Sequence, residues 1–177
     1  KSLPAASPLA LPFALASALQ GGSCTVSGLQ IAGDTPVSVV QGDTTTPYTF
    51  TAIITNVSKA QPTNALSLTI QVPANFYFIG SSASATSRLG AALTVNQPLL
   101  NLAPGAPATI LVSATPASAT LPVGERITVT YRLAATTGGT PNPSLTTALA
   151  IRNGQSACSV SQTVNTSLCP LAVRVPI

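Results

Sequence analysis

Apolar and polar residues alternate with a period of two through most of the chain after Cys24, and this pattern is the strongest constraint on the fold. In residues 48–55 every second residue is apolar, and threonines occupy three of the positions between. Successive side chains of a β-strand point to opposite faces, so the pattern predicts strands with one buried face. Similar stripes occur at residues 66–72, 76–78, 110–114, 127–133, 145–151, 158–164 and 171–177.

Turn-forming residues separate these stripes at intervals of about 8–12 residues, which favours a β-sandwich over a barrel. No stretch after residue 22 predicts a helix. The length of 177 residues suits one such domain with an additional arm. The sequence therefore predicts an all-β sandwich of about 7–9 strands with an extended N-terminal arm.

The first 20 residues alternate large apolar residues with small residues or proline. Three prolines share the even positions, so the missing N–H donors all fall on one edge of a strand, where proline is tolerated. We interpret this segment as a donor strand that fills a groove in the sandwich of the next subunit. The large side chains proposed to mediate polymerisation are Leu3, Leu9, Leu11, Phe13, Leu15 and Leu19.

Two other interpretations of the arm stay open. It would fold back as an edge strand on its own domain, or a short helix would begin at Pro12 and continue through Gln20. Gly21 and Gly22 are predicted to be the hinge, which divides the chain into an arm at 1–21 and a sandwich at 22–177. Residues 1–20 also resemble a signal peptide, but we expect a mature arm from which an earlier leader was removed.

The charge content argues against enzyme and nucleic-acid classes. Only seven basic and three acidic residues occur, and there is no histidine, so the chain lacks the residues of most catalytic sites. The net charge of +4 comes from scattered basic residues, whereas nucleic-acid binding needs clustered ones. We predict a non-enzymatic protein without a cofactor or a bound nucleic acid.

The hydrophobic fraction of 45% is high, yet no apolar run is long enough to span a membrane. A chain this apolar with so few charges tends to associate. We therefore expect a protein that normally exists in an assembly with copies of itself, without a membrane span.

The three cysteines have no CxxC spacing, which argues against a zinc site. One disulfide with one remaining thiol is the simplest arrangement, and it indicates an extracytoplasmic protein. Because they are close in sequence, Cys158 and Cys169 are the predicted pair, with Cys24 as the alternative partner. Two N-glycosylation sequons begin at Asn56 and Asn165.

Three further sites have weaker support. Asp34 and Asp43 follow glycines, which indicates turns more strongly than calcium ligands. Lys59 would form an isopeptide cross-link only beside a buried carboxylate, and the sequence has few acids. A sugar site built from aromatic residues is less favoured than core or interface positions, because these residues follow the period-two pattern. The aromatic residues considered for such a sugar site are Tyr48, Phe50, Tyr77 and Tyr131.

A succession of turn and strand motifs carries a family resemblance over about residues 35–150. The motifs are residues 42–44, 48–56, 63–65, 72–76 and 102–105, and Gly124 before residues 127–133. This succession resembles the immunoglobulin-like "conserved repeat" domain of bacterial and archaeal cell-surface proteins. The resemblance implies an immunoglobulin-like fold, a cell-surface location and a structural role. In its design, the arm resembles the N-terminal extensions of donor-strand pilins.

The sequence as a whole favours a structural subunit of an extracellular, pilus-like filament at the cell surface. Subunits would join head to tail by donor-strand insertion, and host-surface or biofilm-matrix ligands are candidate further partners. The alternative hypothesis is a monomeric binding or adhesion module of the cell envelope.

Overall fold

The computed structural model describes residues 23–26, 28–34, 39–40, 44–58, 61–62, 66–114, 120–136, 144–151, 156–163 and 166–167. Fifteen β-strands and no helix occur within these ranges. The strands are β1 (Ser23–Val26), β2 (Leu29–Asp34), β3 (Val39–Val40), β4 (Tyr48–Asn56), β5 (Gln61–Pro62), β6 (Leu66–Gln71), β7 (Phe76–Phe78), β8 (Ser84–Ser87), β9 (Leu93–Asn96), β10 (Ala108–Ala114), β11 (Thr120–Leu121), β12 (Arg126–Ala135), β13 (Ser144–Ile151), β14 (Ser156–Thr163) and β15 (Thr166–Ser167).

Two antiparallel sheets make up most of the described structure. The first has six strands in the order β1-β2-β4-β12-β7, and β8 also pairs with β12. The second has five strands in the order β14-β13-β6-β10-β9, while β5 with β11 and β3 with β15 form two small sheets. Because β7 and β8 pair with consecutive parts of β12, they form one edge strand interrupted between Phe78 and Ser84.

The core lies between the two sheets and follows the period-two pattern of the sequence. On β4, Phe50 and Ile54 are buried, whereas Thr49, on the opposite face of the strand, is exposed. The ring of Tyr131 on β12 stacks against Phe50 and Phe78, with centroid separations of 5.9 and 6.3 Å. Phe50 and Tyr131 are therefore core residues, and the predicted all-β sandwich is confirmed.

The two sheets hold more strands than the predicted total of about 7–9. The additional strands include β8, whose sequence Ser-Ala-Thr-Ser has no large apolar residue and therefore no stripe to detect. Its pairing with β12 determines its conformation. The predicted turn at Gly33 and Asp34 is wrong, because both residues continue β2 and pair with β4.

Several sequence predictions fall outside the described residues. These are the arm at 1–21 with its apolar positions, the hinge at Gly21 and Gly22, the sequon at Asn165, and Cys169. Lys59 and Asp43 also lie outside. The division into arm and sandwich therefore stays a prediction.

Candidate interaction surface

A disulfide joins the two sheets along one side of the sandwich. Cys24 on β1 and Cys158 on β14 are bonded, with their Cα atoms 6.0 Å apart. β1 and β14 are edge strands of different sheets. The fold brings them together, although the two cysteines are 134 residues apart in sequence. The predicted Cys158–Cys169 pair is therefore wrong, and the alternative partner Cys24 forms the bond. We refer to β1, β14 and this disulfide as the disulfide edge.

The opposite side is closed by residues 97–105, which we call the leucine loop. This segment leaves β9 in the second sheet and runs along β7 in the first. The N–H groups of Leu102 and Gly105 donate to the carbonyls of Phe78 and Phe76, at 3.0 and 2.9 Å. An edge whose carbonyls already accept hydrogen bonds is protected against the addition of another strand.

The side chain of Gln97 extends this protection along the same edge. Its Oε1 accepts from the N–H of Ala83 at 2.6 Å, and its Nε2 donates to the carbonyl of Ala83 at 2.8 Å. The carbonyl of Ser87 accepts from the N–H of Gly90 at 3.3 Å. The side-chain amide of Gln97 thus takes the place of a neighbouring strand.

Two leucines at the tip of the leucine loop are almost fully exposed. Leu99 is 77% exposed and Leu100 is 80% exposed. Their backbone lies so close to Gly80 that a Cβ at Gly80 would overlap it. The N–H of Gly80 donates to Asn101 Oδ1 at 3.0 Å, which further fixes the tip. The fold therefore presents two apolar side chains on a well-supported backbone.

A second apolar surface lies at one end of the first sheet, where β4 ends and β12 begins. We call this surface the Glu125 end and define it by Gly28, Val57, Leu89, Val123 and Glu125. The register of β12 with β4 and with β8 brings their terminal residues together at this end.

Asn56 links the strands at the Glu125 end. Its N–H donates to the carbonyl of Glu125 at 2.9 Å, and its carbonyl accepts from the N–H of Gly124 at 2.8 Å. Its buried side-chain Nδ2 donates to the carbonyls of Leu121 and Pro122, at 2.8 and 3.1 Å. This amide nitrogen is the atom to which an N-glycan would attach, and Asn56 is only 1% exposed, so the described fold leaves no room for a glycan there.

Glu125 is buried beside Asn56, and its exposed fraction is only 1%. Its Oε1 accepts from the N–H groups of Arg126 and Leu89, at 3.0 and 3.3 Å. Its Oε2 is buried and has no hydrogen-bond partner within the described structure. A buried acceptor without a donor costs about 1–3 kcal/mol or more when charged.

Three exposed apolar residues lie on the chain segments that meet at the buried carboxylate. Val57, Leu89 and Val123 are 51%, 60% and 61% exposed. Exposed Arg88 and Arg126 lie beside them, and the N–H of Arg88 donates to the carbonyl of Arg126 at 2.9 Å. The Glu125 end thus combines three exposed apolar residues, neighbouring positive charge and one buried oxygen without a hydrogen-bond partner among the described residues.

The sequence did not identify the residues of these surfaces as site residues. Leu99 and Leu100 are two adjacent apolar residues in a turn-rich stretch, which breaks the period-two pattern and was the available signal. No local feature of the sequence indicated that Glu125 is buried, because its burial depends on the pairing of β12 with β4 and β8.

Two findings bear on other functional classes. In the ranges that the structure describes, no group of three or more cysteine, aspartate or glutamate side chains is placed to hold a metal ion. The same ranges contain no helix that is long and apolar enough to cross a membrane.

Several solved structures are similar to this chain. The chain matches no known protein family and no curated protein. A crystal structure of the RrgA Jo.In complex is similar with a TM-score of 0.49 and 11% identity, covering 79% of this chain and 81% of that chain. The structure of AvmM, described as catalysing macrocyclization in alchivemycin A biosynthesis, has a TM-score of 0.40 and 15% identity, covering 85% of this chain and 98% of that chain.

Proposed function

We propose that the protein is a structural subunit of an extracellular filament, in which the N-terminal arm of one subunit binds the next. The observation that carries this proposal is the Glu125 end, where Val57, Leu89 and Val123, each more than half exposed, lie on three chain segments that hydrogen bonds hold together. Exposed apolar residues gathered at one place on a folded domain are typical of interaction surfaces.

The disulfide between Cys24 and Cys158 supports an oxidising, extracytoplasmic location, because such bonds persist there. The low charge of the chain supports association with itself, since few charges oppose contact between copies. The proposed role is mechanical and non-enzymatic.

The arm supplies what a polymer of identical subunits needs. An arm on one region of the molecule and an acceptor on another make a head-to-tail contact, which extends without closing. The arm would contribute large apolar side chains at alternate positions, each worth about 1.5–3 kcal/mol when fully buried.

The test is negative-stain microscopy of the full chain beside a variant that lacks residues 1–20. We expect filaments of the full chain that resist SDS, and dispersed particles of the variant. Circular dichroism of the variant must show an intact β-sandwich, so that loss of filaments is not loss of folding. Monodisperse particles from the full chain would contradict the proposal.

A monomeric binding module is the second candidate, and the leucine loop favours it. Leu99 and Leu100 form a supported apolar tip apart from the Glu125 end, a form suited to an apolar ligand or partner. This function requires that the full chain stays monomeric and that replacing both leucines by asparagine abolishes binding to the surface it recognises.

A further inference from the structure

We propose that the outward face of the first sheet binds an acidic polysaccharide, through a pair of arginines and the hydroxyl groups beside them. This inference goes beyond the proposed function, because it concerns a ligand of the sheet face and not the contact between subunits. Two observations carry it: the charge of the face and its hydroxyl groups. We call this surface the arginine face and define it by Thr86, Arg88, Arg126, Thr128, Thr130 and Arg132.

The strand register places all the basic residues that the structure describes on this one face. It describes three of the seven basic residues of the chain, and all three are exposed. Arg126 and Arg132 alternate with buried residues such as Ile127, so they lie on the face of β12 that turns away from the core. Arg88 lies opposite Arg126 and therefore shares this face. Basic residues that are scattered in the sequence thus meet on one surface.

Arg88 and Arg126 lie directly opposite each other on neighbouring strands. The N–H of Arg88 donates to the carbonyl of Arg126 at 2.9 Å, which continues the pairing of β8 with β12 beyond Ser87. The Cβ atoms of directly opposite residues are about 4.5–5.5 Å apart, and like charges in such a pair are destabilising. A carboxylate that accepts hydrogen bonds from both guanidinium groups would relieve this repulsion.

The described residues supply no carboxylate to this pair. Glu125 comes immediately before Arg126, but its side chain is buried, and both hydrogen bonds that it accepts come from backbone N–H groups. The other described acid, Asp34, lies on β2, which β4 separates from β12. The two guanidinium groups are therefore available to an anionic ligand.

Hydroxyl groups continue the face from the arginine pair towards Arg132. Thr86 is opposite Thr128, and Ser84 is opposite Thr130. The hydroxyl groups of Ser84 and Thr130 bond to each other at 2.8 Å in an exposed position. Each hydroxyl group can both donate and accept hydrogen bonds, as the hydroxyl groups of a sugar chain can. This part of the face therefore suits the uncharged groups of a polysaccharide.

The spacing of the charges favours a long ligand over a small anion. Arg126 and Arg132 are six residues apart on one strand, a distance of about 20 Å. An acidic polysaccharide presents carboxylates at regular intervals with hydroxyl groups between them, which is complementary to cations with hydroxyl groups between them. Arginine suits this ligand because its planar guanidinium group binds a carboxylate through two parallel hydrogen bonds.

The test is binding of the full chain to immobilised alginate, a polyuronate, with dextran as the neutral polysaccharide. We expect binding to alginate that weakens as salt is raised, and no binding to dextran. Arg88→Ser with Arg126→Ser should weaken binding to alginate about tenfold or more, because charge-assisted hydrogen bonds are lost. Both positions are exposed, so this variant is expected to fold, which circular dichroism checks.

Arg152→Ser with Arg174→Ser is the matched control, because both double variants lower the net charge from +4 to +2. Arg152 directly follows β13 of the second sheet, and Arg174 is near the end of the chain. We expect this control to retain binding to alginate. An equal loss in both double variants would mean attraction by net charge alone and would overturn the inference.

A third variant tests the hydroxyl groups. Thr128→Val with Thr130→Val keeps two branched side chains that favour a strand but removes both hydroxyl groups, so we expect weaker binding to alginate. Unchanged binding by this variant would overturn the assignment to a polysaccharide. The assignment would also be overturned if the unmodified chain bound single-stranded DNA as tightly as alginate.

The outcomes are distinct from those that test the proposed function. A full chain that binds alginate through the arginine pair but forms no filaments would support this inference and reject the proposed function. Filaments that do not bind alginate would overturn this inference alone.

Discussion

The two sides of the sandwich are closed by different kinds of bond. On the disulfide edge, one covalent bond joins β1 to β14. On the other side, the leucine loop closes the sandwich through several hydrogen bonds to the backbone of β7 and of the residues between β7 and β8. The first closure depends on redox state, and the second depends on backbone geometry, so each can be removed without chemical change to the other.

Of the substitutions that test the two closures, removal of the disulfide should lower the free energy of unfolding the most. Cys24→Ser with Cys158→Ser opens a loop of 134 residues in the unfolded chain, which the loop-entropy relation values at about 5 kcal/mol. We expect the free energy of unfolding, measured by urea titration, to fall by about this amount. Cys169→Ser is the control, and an equal loss in that variant would contradict the assigned pairing.

Gly80→Ala should cause the next largest loss of stability, and it acts on the leucine loop at the opposite side of the sandwich. The new Cβ would meet backbone atoms of Leu99 and Leu100, which cannot rotate away, so we expect a loss of about 3 kcal/mol. Gly90→Ala is the matched control: its Cβ meets open space, and only its positive φ of 85° opposes alanine, at a cost of about 1–2 kcal/mol.

The same two variants also report on the leucine loop itself. Proteolysis should cleave near Leu99 faster in Gly80→Ala than in Gly90→Ala, because the supporting contact is lost only in the first. Equal cleavage of the two variants would show that Gly80 does not hold the loop.

Gln97→Ala should cause a smaller loss of stability than removal of the disulfide or Gly80→Ala. It removes two side-chain hydrogen bonds to Ala83 at a partly buried position, so we expect a loss of about 1–2 kcal/mol in thermal or urea unfolding. Amide exchange at Ala83 should accelerate as well. Asn96→Ala, an exposed neighbour, should change stability by less than about 0.5 kcal/mol, and a similar loss in both variants would contradict the strand-like role of Gln97.

The sequence predicted the strands that have a strong apolar stripe. The alternating pattern of apolar residues was sufficient to predict β4 and β12, because one face of each strand is buried against the opposite sheet. It did not reveal β8, whose small polar residues are held by backbone pairing with β12. Local patterns also did not predict which residues contact each other across the fold, as the pairing of Cys24 with Cys158 shows.

The candidate site could be predicted only in part. The large residues of the arm share one parity and are therefore visible from the sequence, whereas the exposed apolar residues of the Glu125 end lie on three separate chain segments. Burial of Glu125 requires β4, β8 and β12 to meet, and neither its spacing nor its neighbours in sequence indicate that. Such a site becomes visible only when the register of the strands is known.

The position of Cys24 also determines how the domain would bear tension. A pulling force applied to the chain ahead of Ser23 reaches the disulfide after a single residue, before the other hydrogen bonds of β1 to β2 carry load. Without that bond, a four-residue edge strand would peel from its sheet one pair at a time. With it, the force divides between β2 in one sheet and β14 in the other, so the whole sandwich must shear before the strand can leave.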